Sequence, residues 1–258
     1  METPIFFTAS VLFILLTFGL FALIISGLRS VLKQTAWETI QQKKILYLTT
    51  AGFAGWILFT GILANSGFLA VFNTLPPRLL VILLPPLVFI VALTFSLKFT
   101  QLLQRIPPGW LIGIQSFRVL MEIILWMCFA DNIIPVQMTF EGRNFDILVG
   151  LSAPIIAYFC FVKKVWSPRV AIAWNICGLI ILANIVIVAI LSAPVPFRVF
   201  MNEPANTFIA HLPFVWLPAF VVPVAYWMHI LSLKQLLFAS KTQNRPVLSN
   251  KIIVNQMN

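Results

Sequence analysis

Seven long apolar runs, separated by short polar segments, dominate the chain: residues 5–28, 45–63, 79–97, 110–129, 147–162, 170–191 and 212–237. A helix needs about 20 apolar residues to cross a hydrocarbon core about 30 Å thick, because each residue rises 1.5 Å. The runs therefore predict seven spanning helices, of which the fifth is the shortest. The first run is too long for the apolar part of a secretion signal. It also lacks the basic flank and small-residue cleavage site of one, so a retained helix is expected.

The polar segments set an orientation. Thirteen cations fall in alternate connections and the tail: Arg29, Lys33, Lys43, Lys44, Lys98, Arg105, Lys163, Lys164, Arg169, Lys234, Lys241, Arg245 and Lys251. The opposite connections hold three, Arg78, Arg143 and Arg198, and Arg118 lies inside a run. Cytoplasmic loops carry the excess of Lys and Arg. The expected fold is an all-α polytopic transmembrane bundle of seven helices, with the N-terminus outside and the C-terminus cytoplasmic. Residues 1–238 form the membrane domain and 239–258 a polar cytoplasmic tail. Glu2, Asp131, Glu141, Asp146 and Glu203 are placed outside, and Glu38 inside. Trp110, Trp126, Trp166 and Trp216 lie near predicted helix ends, where indole rings anchor at the headgroups. The first cytoplasmic connection, 29–44, is long enough for a short surface helix with Val31, Leu32, Trp37 and Ile40 toward lipid.

Composition fixes the solvent. With 60% hydrophobic and 9% charged residues and a mean hydropathy of +1.00, the chain cannot present a water-solvated surface. The formal net charge of +10 would suggest nucleic acid in a soluble protein. Here it sits in the connections, so the partners expected are membrane lipids, a small-molecule ligand or another membrane protein, with no nucleic acid. Cys128, Cys160 and Cys177 lie within apolar runs without paired spacing and read as packing residues. The short connections favour a bacterial inner membrane. No cofactor is expected.

The main candidate chemistry is in the fourth run, where Gln115, Arg118 and Glu122 share one helical face. Each charge at membrane depth costs about 2.5 to 3.5 kcal/mol on translocon scales, so this face should point into the bundle or a wet cavity. Arg118 and Glu122 are spaced to pair with each other. In the following connection Ile134, Val136, Met138 and Phe140 alternate with polar residues or proline, the period of an extended strand, which is expected to lie across the helix ends as a lid. Gly142 permits a turn there. Glu141 and Arg143 are candidate ligand contacts at a pocket mouth, and Asn144 or Asp146 a candidate cap of the fifth helix. A second outer segment, 193–211, adds Arg198, Asn202, Glu203, Asn206 and His211. These acids and His211 include metal-ligand types but lack any metal-site spacing. Pro213, Pro218 and Pro223 in the last run, Pro85 and Pro86 in the third and Pro154 in the fifth predict helix breaks.

Familiar seven-helix chemistries fit poorly. A retinal protein needs a lysine deep in its last helix, and here only Lys234 is present, near the end of that run. His211 and His229 are the only histidines. They lie on one run, about 27 Å apart at 1.5 Å per residue, so they cannot hold one haem, and a three-histidine zinc site is excluded. Ser152 with His211 forms a conceivable hydrolase dyad without the full nucleophile motif. Three functions stay open: a small-solute or ion transporter or ligand-binding membrane protein, whose outward pocket reaches Arg118 and Glu122; a membrane enzyme acting on a lipid at the outer leaflet; and a non-catalytic subunit or sensor.

Overall fold

A computed structural model describes residues 3–243, with side chains for residues 3–238. Glu2 and the tail beyond 243, with Arg245 and Lys251, lie outside the described residues. Each apolar run folds as a helix, and no strand occurs among the described residues. The elements are α1 (Pro4–Lys33), α2 (Thr39–Asn65), α3 (Leu80–Phe95), α4 (Leu97–Leu103), α5 (Pro108–Ala130), α6 (Asp146–Val162), α7 (Pro168–Ser192) and α8 (Leu217–Phe238). Of these, α1, α2, α5, α7 and α8 are long and apolar enough to cross a membrane. The pair α3 and α4, bent by 83°, supplies a sixth if taken as one span. At 17 residues, α6 is apolar but shorter.

Burial sorts the bundle into centre and periphery. In α8, 61% of the most apolar window is buried and in α5 50%, against 11% in α2. Around α8 pack α7, α5 and α3, while α5 also packs on α1 and α6. One apolar core joins Phe13, Leu16 and Leu20 of α1, Ile124 and Leu125 of α5, Leu182 and Ile185 of α7, and Val224 and Met228 of α8. In an apolar solvent such packing is driven by van der Waals fit and interhelical hydrogen bonds rather than by water.

Contacts between helix ends separate two faces of the bundle. At one, the Thr3 hydroxyl bonds the Asp131 carboxylate at the end of α5, and the Phe6 and Phe214 rings lie 5.9 Å apart. At the other, Arg105 donates to the Gln34 carbonyl, and Gln235 Nε2 donates to the carbonyls of Leu103 (2.9 Å) and Ile106 (2.6 Å).

The prolines act as the sequence suggests, with shifted boundaries. Pro213 precedes the last helix, which starts at Leu217 and not at 212. Within α8, Pro223 has no N–H for the carbonyl four residues back, Ala219. Trp56 Nε1 of α2 donates to that carbonyl at 2.9 Å, so a neighbouring helix satisfies the group the proline frees. The break between α3 and α4 is handled similarly: the Lys234 ammonium donates to the Thr94 carbonyl and to Thr100 Oγ1.

Two local expectations are corrected. The connection after α1 forms no separate surface helix: α1 runs on to Lys33, Val31 and Leu32 are buried against Leu102, and α2 starts at Thr39. The segment after α5 forms no strand. Residues 136–138 make a single 3₁₀ turn, closed by Met138 N–H to the Pro135 carbonyl and Thr139 N–H to the Val136 carbonyl. An isolated strand has no neighbouring edge for its backbone groups, and the turn pairs them locally. Burial follows the turn, taking in Gln137 and Thr139 as well as Ile134 and Met138. Gly142 has no positive φ; a Cβ there would lie 2.3 Å from the Val136 carbonyl oxygen, so close backbone approach is what requires glycine.

Candidate functional site

The site is built where α6 meets the middle of α5. Gly150 of α6 lies so close to α5 that a Cβ would sit 2.8 Å from the Val119 nitrogen, which brings the first turn of α6 beside Arg118. Arg118 Nη1 and Asp146 Oδ1 are 3.3 Å apart and both residues are buried, with Arg118 only 2% exposed. Asp146 occupies the first turn of α6, where unpaired N–H groups and the helix dipole favour a carboxylate.

The sequence-derived pairing is thereby corrected. Arg118 bonds Asp146, and Glu122 bonds Asn144, whose Nδ2 donates to Glu122 Oε1 at 2.6 Å and to the Met138 carbonyl at 3.1 Å. Asn144 Oδ1 in turn accepts from the Asp146 N–H at 3.1 Å, bridging Phe145, which holds the cap position without a side-chain bond; neither Asn144 nor Asp146 is the cap. Asp146 is correspondingly not an outer-surface acid but a buried one. The i, i+4 spacing placed Arg118 and Glu122 on one face, but it carried no information about the loop that folds in between them. Arg118 Nε and Nη2 and Glu122 Oε2 are buried without a protein partner.

Arg118, Glu122, Asn144 and Asp146 line a cavity of about 340 Å³ whose other walls are apolar. Those walls come from α3 (Leu80, Leu83), α5 (Met121, Leu125), α7 (Leu182, Ala189), α8 (Val221, Ala225) and the segment with Val195 and Phe197. Gln115 is buried behind it, donating to the Ala225 carbonyl at 3.0 Å and tying α5 to α8.

The remaining candidates do not line this cavity. Glu141 accepts from Trp126 Nε1 at 2.7 Å on the exposed side of α5. Arg143 lies over the Phe200 ring, 5.0 Å from its centroid, and Glu203 pairs with Arg198 at 3.0 Å at the surface. His211 is exposed, and its backbone carbonyl accepts from Val215. Ser152 donates to the Leu148 carbonyl at 2.6 Å and accepts from Trp174 Nε1 at 2.8 Å, bonds of a helix-packing residue rather than of a dyad with His211.

A second buried polar group was missed in the sequence. His229 Nδ1 lies 2.9 Å from Asn175 Oδ1, and Asn175 Nδ2 donates to Ser232 Oγ at 2.9 Å, linking α7 to α8. His229 and Ser232, three residues apart, share the face of α8 that meets Asn175, a polar pair in an apolar run that marks it in retrospect. Gly178 makes room for the imidazole, since a Cβ there would fall 2.4 Å from His229 Cε1.

No curated protein and no solved structure matches the chain. A family model described as a domain of unknown function (DUF8737) matches residues 75–237, a stretch that contains α3 to α8 up to Leu237 and every residue of the cavity. The chain belongs to that family.

Proposed function

We propose that this protein is a small-solute or ion transporter, or a ligand-binding membrane protein, whose pocket is the cavity at Arg118, Glu122 and Asp146. The carrying observation is that three ionisable side chains meet in the middle of an apolar bundle, at the wall of a cavity large enough for a small molecule. Intramembrane charges are costly and mark binding or transport sites. A cavity-free bundle would have favoured a structural subunit. The lipid-enzyme reading is left with Glu122 and Asp146 as its acid–base pair, because Glu141 and His211 lie elsewhere.

The reading includes seven crossings, with the N-terminus outside and α6 as the short fifth span, in a bacterial inner membrane. What supports the orientation is the excess of Lys and Arg in the connections at the Gln34–Arg105 end of the bundle. Native mass spectrometry of the gently purified protein, wild type beside Glu122→Gln, tests the pocket. A discrete ligand retained by the wild type and lost in the variant is expected. A bare, unchanged chain or a stoichiometric partner protein would move the assignment to a structural subunit.

A further inference from the structure

We propose that the cavity takes a lipophilic cation, a molecule with one apolar chain or ring body and one protonated amine, entering sideways from the lipid between α3 and α7. The inference rests on the ligand-binding reading above and adds the chemical class of the ligand.

Charge sets the head group. Two carboxylates, Glu122 and Asp146, share the wall with one cation, Arg118, and the fourth polar residue, Asn144, is neutral. With both carboxylates ionised, the formal sum is one negative charge in an apolar enclosure. Asp146 is matched by Arg118 Nη1, whereas Glu122 receives only the Asn144 amide, and its Oε2 has no protein partner. An uncompensated buried charge is strongly unfavourable, and a cation beside it removes that cost. An ammonium also supplies the donors that carboxylate oxygens accept. An anionic head would instead face two carboxylates across a single guanidinium.

Shape sets the body and the route. About 340 Å³ lies at the small end of ligand pockets, too small for a two-chain phospholipid and suited to a single chain or compact ring system. Leu80 and Leu83 of α3 and Leu182 and Ala189 of α7 all line the cavity. The main packing of α3 is on α8, and it carries Pro85 and Pro86 before its 83° break to α4. It borders the cavity beside α7 without packing closely on that helix, and this is the side we assign to entry.

The test is a chain-matched series, decylamine, decanol and decanoate, titrated onto the full chain in micelles and read as one-to-one adducts by native mass spectrometry. Wild type, Glu122→Gln and the cavity-filling variant Ala189→Phe are compared. Decylamine is expected to bind at least tenfold tighter than decanol or decanoate. Glu122→Gln should erase that preference, and Ala189→Phe should weaken all binding. If decanol or decanoate binds as tightly as the amine and Ala189→Phe displaces it, the pocket stands and the cation assignment is overturned. Amine preference that survives Glu122→Gln overturns it equally. If none of the three gives an adduct sensitive to Ala189→Phe, the ligand-binding reading fails with it. The head-group series in the wild type decides the matter even if Glu122→Gln does not fold.

Discussion

Asp146→Ala separates two accounts of how Arg118 is held. On the sequence alone Glu122 is its partner, and Glu122→Ala should be the damaging change. In the structure Arg118 Nη1 bonds Asp146 Oδ1 at 3.3 Å, with the arginine side chain 2% and the aspartate side chain 12% exposed. Nε and Nη2 have no protein partner, so losing Asp146 leaves the whole guanidinium without one in an apolar surrounding. Removing one member of a buried pair costs about 3 to 5 kcal/mol. Glu122 sits one turn away and can swing toward Arg118, which puts the expected loss near the lower end, about 3 kcal/mol. At roughly 2 to 4 °C per kcal/mol for a chain of this size, the melting temperature should fall by roughly 6 to 12 °C. Tryptophan fluorescence of the purified chain during heating reads it. Glu122→Ala should cost less, because it removes one amide contact and also takes away an excess carboxylate. The double change Arg118→Met with Asp146→Leu should recover most of the loss, since well-packed apolar replacements of buried pairs are close to neutral. A Glu122→Ala loss equal to or larger than that of Asp146→Ala would refute the assignment of partners.

Other contacts give sharper local tests. Gly150→Val puts side-chain atoms where even a Cβ lies 2.8 Å from the Val119 nitrogen and 3.2 Å from Arg118 Cβ. It should cost about 1 to 3 kcal/mol in thermal unfolding by overpacking and, by parting α5 from α6, abolish retention of any ligand in native mass spectra. Trp56→Phe keeps an aromatic side chain, smaller than the indole, but removes the donor to the Ala219 carbonyl, for an expected hydrogen-bond loss of about 1 kcal/mol in the same melting assay. In a Pro223→Ala background that loss should largely vanish, because the new backbone N–H takes over the same carbonyl. Equal losses in both backgrounds would refute the link between proline and tryptophan.

Much of this protein is legible in the residues alone. The apolar runs place every membrane-length helix because a lipid-solvated backbone must pair its own N–H and C=O groups, and a helix does so locally. The same logic found the intramembrane charges, since Gln115, Arg118 and Glu122 stand out against an apolar run. Three things were decided only by tertiary structure. Asp146 became Arg118's partner because the loop after α5 folds into the bundle and starts α6 beside the middle of α5, a long-range placement that local spacing does not encode. The expected strand became a turn because no second strand stands ready to pair with it. The cavity arose where α3, α5, α7 and α8 meet without filling the space between them, a matter of how the helices pack around α8. Periodicity reports which face of each helix is polar; the neighbour that face meets depends on the packing of all the others.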